Sequence, residues 1–125
     1  MEMINVYKLN EELLWASENG HLEIVRLLVD IGVDVSVVDN YALRRASKNG
    51  YLEVVKLLIE NGADVSVKVD RALRAASYFG YFEIVKLLLE NGANVSAMEN
   101  CALEMASRNK RLEIVELLRA YGAEE

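Results

Sequence analysis

The sequence predicts an all-α solenoid of four stacked helix-turn-helix repeats with shortened connecting loops. The first observation is a 30-residue period: residues 42–71 and 72–101, compared position by position, show 18 identities in 30. The second is that apolar residues recur at helical spacing inside each block. A unit of this length cannot bury its apolar side alone, so adjacent units must stack. We therefore expect one array that presents a surface.

Each block holds two stretches with different apolar patterns. In the first block, residues 11–19 offer Leu13, Ala16 and Ser17 for burial, as expected for a short helix that packs closely. Residues 22–31 are denser in Leu, Ile and Val, which predicts a second helix lying between neighbours and supplying most of the core.

Glycine and short polar residues mark the predicted helix ends. Glycine supplies the left-handed backbone that closes a helix, and it follows each second helix at Gly32, Gly62, Gly92 and Gly122. A short polar side chain lies three residues before each recurring leucine, where it is able to accept a hydrogen bond from the first turn. This pattern predicts N-caps at Asn10, Asn40, Asp70 and Asn100.

Four periodic glutamates have a structural interpretation. They lie in the first turn of each predicted second helix, where a negative charge complements the helix dipole by roughly 0.3–1 kcal/mol. Acid and base catalysis by carboxylates needs two unlike environments, whereas a repeat gives each copy the same one. The residues are Glu23, Glu53, Glu83 and Glu113.

The period also divides the chain. We expect a single domain, 1–125, with an N-terminal cap, 1–11, three repeats and a C-terminal capping repeat. The repeats are 12–41, 42–71 and 72–101, and the capping repeat is 102–125. The capping repeat replaces the glycine between its helices with Lys110 and has a more polar second helix, as expected for an end of the stack that faces solvent.

Composition argues against several classes of function. A net charge of −6 disfavours nucleic acid and anionic lipid as partners, and no apolar run is long enough to span a membrane. The single cysteine, Cys101, cannot form an internal disulfide, which fits a reducing, cytoplasmic location. Zinc sites and nucleophilic triads need histidine or clustered cysteine, and the chain has only His21 and Cys101. We expect no cofactor, no metal and no enzymatic activity.

Two segments carry a family resemblance. Residues 19–35, NGHLEIVRLLVDIGVDV, and 79–95, FGYFEIVKLLLENGANV, resemble ankyrin repeats, whose usual signature runs G-H-L-E-I-V-K-L-L-L-E-x-G-A-D-V-N. The resemblance covers residues 12–124, although the period is three residues shorter than usual and the chain has no proline. The shortening falls where ankyrin repeats project a β-hairpin, so at most vestigial strands are expected, at residues 34–37, 64–67 and 94–97. Such short repeats resemble those of large DNA viruses, and a designed consensus array is the alternative.

The resemblance implies a non-catalytic protein-interaction module whose loops and first helices line a concave recognition surface. The residues at those positions are Val38, Tyr41, Lys48, Asn49, Lys68, Arg71, Tyr78, Phe79, Met98, Cys101, Arg108 and Asn109.

Tyr78 and Phe79 are the exception to the period on this surface. They stand where other blocks carry the polar pairs Glu18-Asn19, Lys48-Asn49 and Arg108-Asn109, so they have no periodic structural reason. Aromatic residues are frequent anchors of interfaces, and packing on the loop at 67–69 is the alternative. We expect a monomer that binds a protein partner. The other interpretation is a structural scaffold, natural or designed, that either self-associates or has no partner, and self-association would form a dimer through these two rings.

Overall fold

The recurring sequence pattern folds into helix pairs. The computed structural model describes residues 5–65 and 71–123, with the side chains of residues 97–99 outside that description. The first helices of the pairs are α1 (Val6–Glu18), α3 (Val37–Asn49), α5 (Arg71–Phe79) and α7 (Ala97–Arg108). The second helices are α2 (Leu22–Asp30), α4 (Leu52–Glu60), α6 (Phe82–Glu90) and α8 (Leu112–Ala120). Within the described residues there is no strand, so the all-α repeat fold is confirmed.

The helices stack in two layers. The first helices pack extensively on one another in the order α1, α3, α5, α7, and each also contacts the second helix of its own pair. The second helices contact their neighbours less. The first helices thus approach one another more closely than the second helices do, as in a stack that curves toward the first-helix side. Residues 6–11, assigned to a cap on sequence grounds, form the start of α1, and the division into cap and repeats stays a prediction.

The core lies between the layers and follows the period. The predicted burial of Leu13, Ala16 and Ser17 is confirmed, and their counterparts in the next two pairs are buried too. The prediction for the second helix is wrong at Leu27, which is 65% exposed, whereas its counterpart Leu57 is 9% exposed. The reason is that Leu57 lies between neighbouring pairs, while no described segment covers the outer side of α2.

Glycine closes the first helices as well as the second. Gly50 has φ 81°, and the amide of Tyr51 reaches back to the carbonyl oxygen of Ala46 at 3.0 Å. The same carbonyl oxygen also accepts from the amide of Gly50, so two successive amides close the end of the helix. The predicted glycines after the second helices also have positive φ, which confirms their role at helix ends.

The predicted N-caps are wrong where the structure describes them. Asn10 lies inside α1, whose N-cap is Asn5, and the amide of Lys8 donates to Asn5 Oδ1 at 3.2 Å. Asn100 has φ 66° and lies within α7, whose N-cap position is Ser96. Asp70 is outside the described residues.

Asn40 has a different role from capping. It ends three consecutive left-handed residues, 38–40, with φ between 54° and 59°, after the N-cap position of α3 at Ser36. Its Oδ1 accepts a hydrogen bond from the amide of Asp64 at 2.8 Å, across to the loop after α4. The side chain of Asn40 therefore joins two successive connecting segments and makes this contact between repeats in place of the predicted cap.

Candidate functional site

A shallow groove crosses the middle of the first-helix layer. It has a volume of about 320 Å³ and lies between α3, α5 and α7. Its lining residues are Lys48, Arg71, Arg74, Ala75, Tyr78, Phe79 and Met105. We call it the α5 groove, because α5 supplies most of its wall. The structure thus brings together Lys48, Arg71, Tyr78 and Phe79 from the predicted surface.

The aromatic pair lies at the end of α5 and is open to solvent. Tyr78 is 43% exposed and Phe79 is 40% exposed, whereas Ala76 and Ser77 just before them are fully buried. The two rings meet edge to face, with centroids 4.8 Å apart and planes at 75°. Phe79 also faces Tyr81, with ring centroids 6.3 Å apart. Such pairs are worth about 0.5–1.5 kcal/mol beyond burial, so the two rings hold each other in place.

Three basic residues line the α5 groove together with the aromatic pair. Lys48 and Arg71 are exposed, and Arg74 is partly buried. Arg74 Nη1 donates to Cys101 Sγ at 3.9 Å, a weak acceptor, and its buried Nε has no hydrogen-bond partner. Among the described residues, no carboxylate lines the groove and none pairs with these three cations.

Tyr41 and Asn49 belong to a separate cluster. Tyr41 Oη donates to Glu18 Oε2 at 3.4 Å, and Asn49 Nδ2 donates to the backbone oxygen of Glu18 at 3.0 Å. Arg45 Nε lies 3.9 Å from Glu18 Oε1, and its guanidinium carbon lies 5.0 Å from the centre of the Tyr41 ring. These polar groups already have partners, so this cluster joins α1 to α3.

The remaining predicted surface residues are scattered. Val38 is exposed, and Arg108 forms an ion pair with Glu104 at 2.6 Å. Asn109 Nδ2 donates to the carbonyl oxygen of Met105 at 2.9 Å, at the end of α7. Cys101 is half-buried beside Arg74. Lys68 and the side chain of Met98 lie outside the described residues.

Sequence reasoning missed Arg74 and Met105. A signal for Arg74 was present, because Arg71, Arg74 and Tyr78 are spaced by three and four residues and so share one face of α5. Met105 lies on the next first helix, and only the stacking of α7 on α5 brings it to the groove.

The molecule is a helical-repeat protein, because its helix pairs recur along the chain and stack in two layers. An open groove crosses its first-helix layer. Residues 7–69 and 68–125 match the family model described as Ankyrin repeats (3 copies). The chain belongs to the ankyrin-repeat family. Ankyrin repeats are generally protein–protein interaction modules that bind protein partners, and they are typically non-catalytic. A search of curated proteins gave no match.

Two further findings concern the described residues alone. None of their helices has both the length and the apolar character that crossing a bilayer requires. They also contain no cluster of three or more His, Cys, Asp or Glu residues able to hold a metal ion.

Proposed function

We propose that this ankyrin array is a non-catalytic recognition module that binds a protein partner through the α5 groove, with Tyr78 and Phe79 as the anchor. The observation that carries the proposal is the exposure of both rings at positions where the adjacent repeats carry Lys48-Asn49 and Arg108-Asn109. The repeat folds with polar residues at these positions, so the array does not need two rings there.

The position and chemistry of the rings suit an anchor. The α5 groove lies at the centre of the first-helix layer, with helix pairs on both sides, so a bound segment would contact neighbouring repeats at once. Aromatic residues with low conformational freedom, near the centre of a contact, supply a large part of binding energy. The edge-to-face contact between Tyr78 and Phe79 limits their motion before a partner arrives.

The proposal includes a monomer that works in a reducing compartment, with Cys101 as a free thiol. The net charge of −6 supports a protein partner over nucleic acid or an anionic membrane. The alternative is self-association, in which the same rings would be buried in a symmetric contact between two copies. Light scattering at two protein concentrations distinguishes the two, because a dimer through Tyr78 and Phe79 dissociates on dilution and in the Y78S/F79N variant.

The test uses short random peptides selected for binding to the full chain. The double variant Y78S/F79N should keep a cooperative thermal transition and weaken binding of the selected peptides by roughly 2–4 kcal/mol. The matched control is Tyr7→Ser, because Tyr7 is an equally aromatic and more exposed residue on α1 that does not line the groove. This control should leave binding unchanged.

Two results would contradict the proposal. If Y78S/F79N unfolds at a much lower temperature, the rings are part of the core. If it folds normally and binds with unchanged affinity, the interface lies elsewhere, and the loops at 38–41 and 98–101 become the next candidates.

A further inference from the structure

The α5 groove combines positive charge with apolar surface in a chain that is acidic overall. Lys48, Arg71 and Arg74 provide three cations along it, whereas the whole chain carries a net charge of −6. Long-range attraction of a polyanion is therefore weak, but a single carboxylate in the groove would meet three cations and, among the described lining residues, no acidic side chain. The local charge thus favours an acidic group on a compact ligand.

Arg74 has unused hydrogen-bonding capacity in the α5 groove. A guanidinium carries five N–H donors in a fixed fork that fits a carboxylate with two parallel bonds. Arg74 makes a weak contact to Cys101 Sγ, and its Nε is buried without a partner. The buried Nε is closed to a ligand in this arrangement, but the outer nitrogens of the guanidinium, held only by the weak contact to Cys101, are able to bind a carboxylate that lies in the groove.

Arginines elsewhere in the array have acceptors from the protein itself. Arg44, which precedes Arg74 by one repeat, donates its Nε to the carbonyl oxygen of Asp39 at 3.2 Å. Arg111 donates its Nε to the carbonyl oxygen of Tyr78 at 3.4 Å, and Arg108 pairs with Glu104. Arg74 differs from these in having no oxygen acceptor among the described residues, and it lines the same groove as the exposed aromatic pair.

We propose that the α5 groove recognises a protein segment in which an Asp or Glu side chain lies next to an aliphatic or aromatic side chain. Arg74 and Arg71 hold the carboxylate, and Lys48 adds attraction from the α3 side. The apolar side chain packs on Tyr78, Phe79 and Met105. This inference rests on the proposed function and specifies the chemistry of its ligand.

Random peptides are first selected for binding to the full chain and sequenced. The affinity of the selected peptides is then measured by fluorescence anisotropy. Selected peptides should be enriched in an acidic residue adjacent to an apolar one. Replacing that acid by its amide in the peptide should weaken binding roughly tenfold or more, as should Arg74→Gln in the protein. Arg74→Lys should restore part of the loss, since it keeps the charge but not the fork. Affinity should also fall as salt concentration rises.

The control and the second variant keep the test independent of folding. Lys56→Gln removes an exposed cation on α4 that pairs with Glu53 at 3.5 Å, and it should change affinity less than about twofold. If Arg74→Gln fails to fold, Arg71→Gln, at an exposed position, and the change from acid to amide in the peptide still decide the outcome.

The outcomes separate this inference from the proposed function. If the selected peptides need Tyr78 and Phe79 but are neutral or basic, or bind equally well after the change to amide, the inference is wrong and the proposed function stands. If no selected peptide depends on the two rings, both are wrong. If a labelled single-stranded oligonucleotide binds more tightly than the peptides and loses affinity with Arg74→Gln, the groove is a nucleic-acid site and the inference is overturned.

Discussion

The ring of Tyr81 covers Gly50 so closely that a Cβ atom added to Gly50 would lie 2.7 Å from Cε1 of Tyr81. The same contact occurs one repeat earlier between Gly20 and Tyr51, where the distance would be 2.6 Å. Glycine at these positions therefore allows two successive repeats to approach, in addition to its role at the helix end. Lys110 occupies the equivalent position in the last pair and carries a side chain there, at φ 57°.

The first prediction separates backbone strain from packing. Gly50→Ala should lower the free energy of unfolding for two reasons. Alanine is strained in the left-handed conformation, which costs about 1–2 kcal/mol, and its Cβ collides with the Tyr81 ring, which costs about 1–3 kcal/mol more. Gly62→Ala is the matched control, since φ is 101° and nothing lies within 4 Å of the added Cβ. Gly62→Ala should therefore show only the loss that comes from backbone strain. Urea denaturation measures both, and equal losses would show that the contact with Tyr81 has no energetic role.

The second prediction tests the link made by Asn40. Asn40→Ala removes the acceptor for the amide of Asp64 and places alanine in a left-handed conformation, so the free energy of unfolding should fall by about 1–3 kcal/mol. The control is Asn91→Ala, which removes an exposed bond to the backbone oxygen of Leu87 and should cost about 0.5 kcal/mol or less. Thermal unfolding followed by circular dichroism compares the two, and a larger loss for Asn91→Ala would contradict the link.

The third prediction concerns buried serine hydroxyls. Ser47 is fully buried and its Oγ has no hydrogen-bond partner, as is also true of Ser17 and Ser77. Ser47→Ala removes this polar group and raises helix propensity, so it should increase the free energy of unfolding by about 1 kcal/mol. Ser107→Ala, at the exposed counterpart, should change it by about 0.5 kcal/mol or less. A decrease in stability for Ser47→Ala would mean that the hydroxyl has a partner in solution.

The fourth prediction is a pH dependence at Asp34. The hydroxyl and the amide of Ser36 donate to Asp34 Oδ1 at 2.7 and 2.9 Å, and these bonds lower the pKa of Asp34 below 3.8. A lowered pKa in the folded state means that this stabilisation is present above pH 3.8 and disappears as the pH falls through the lowered pKa. Carbon-13 NMR titration of the Asp34 carboxyl should give a midpoint below 3.8, and a midpoint at or above that value would contradict the two bonds.

Asp34→Asn is the matched variant for that dependence. Asn94 makes the same turn with the amide of Ser96 at 3.0 Å, so asparagine is compatible with this geometry. The difference in stability between the natural chain and Asp34→Asn should shrink as the pH falls below 3.8, since the carboxylate is protonated there.

Periodic sequence signals predicted the features that every repeat shares. The helix pairs, the glycines with positive φ and the burial of Leu13 and Ala16 follow from local spacing, which is the same in each copy. The sequence could not distinguish a helix cap at Asn40 from a contact with Asp64, because Asp64 lies 24 residues away in the next connecting segment. The period shows that this asparagine matters, whereas only the stacked structure shows what it binds.

The candidate site was predicted in part for a related reason. Tyr78 and Phe79 were found because they depart from the period, and comparison of repeats detects such departures. Arg74 is shared with the preceding repeat as Arg44, so its identity alone gave no signal. The two residues differ in that the Nε of Arg44 has a hydrogen-bond acceptor and the Nε of Arg74 has none. Hydrogen-bond partners depend on tertiary geometry, so the sequence does not show this difference.

The contact between the helix-end glycine and the next repeat has a consequence for how such a gene can change. Deletion of residues 51–80 would join Gly50 to Tyr81 and bring Arg111 over Gly50, in the place that it now takes over Gly80. Each glycine at the end of a first helix would then lie under a residue that covers such a glycine now, so removal of one copy shortens the array by a whole 30-residue step and keeps this kind of contact between repeats. The same deletion removes Arg71, Arg74, Tyr78 and Phe79 together. Folding of the array and recognition are thus separable, and loss of this single copy would leave a shorter folded array without its groove.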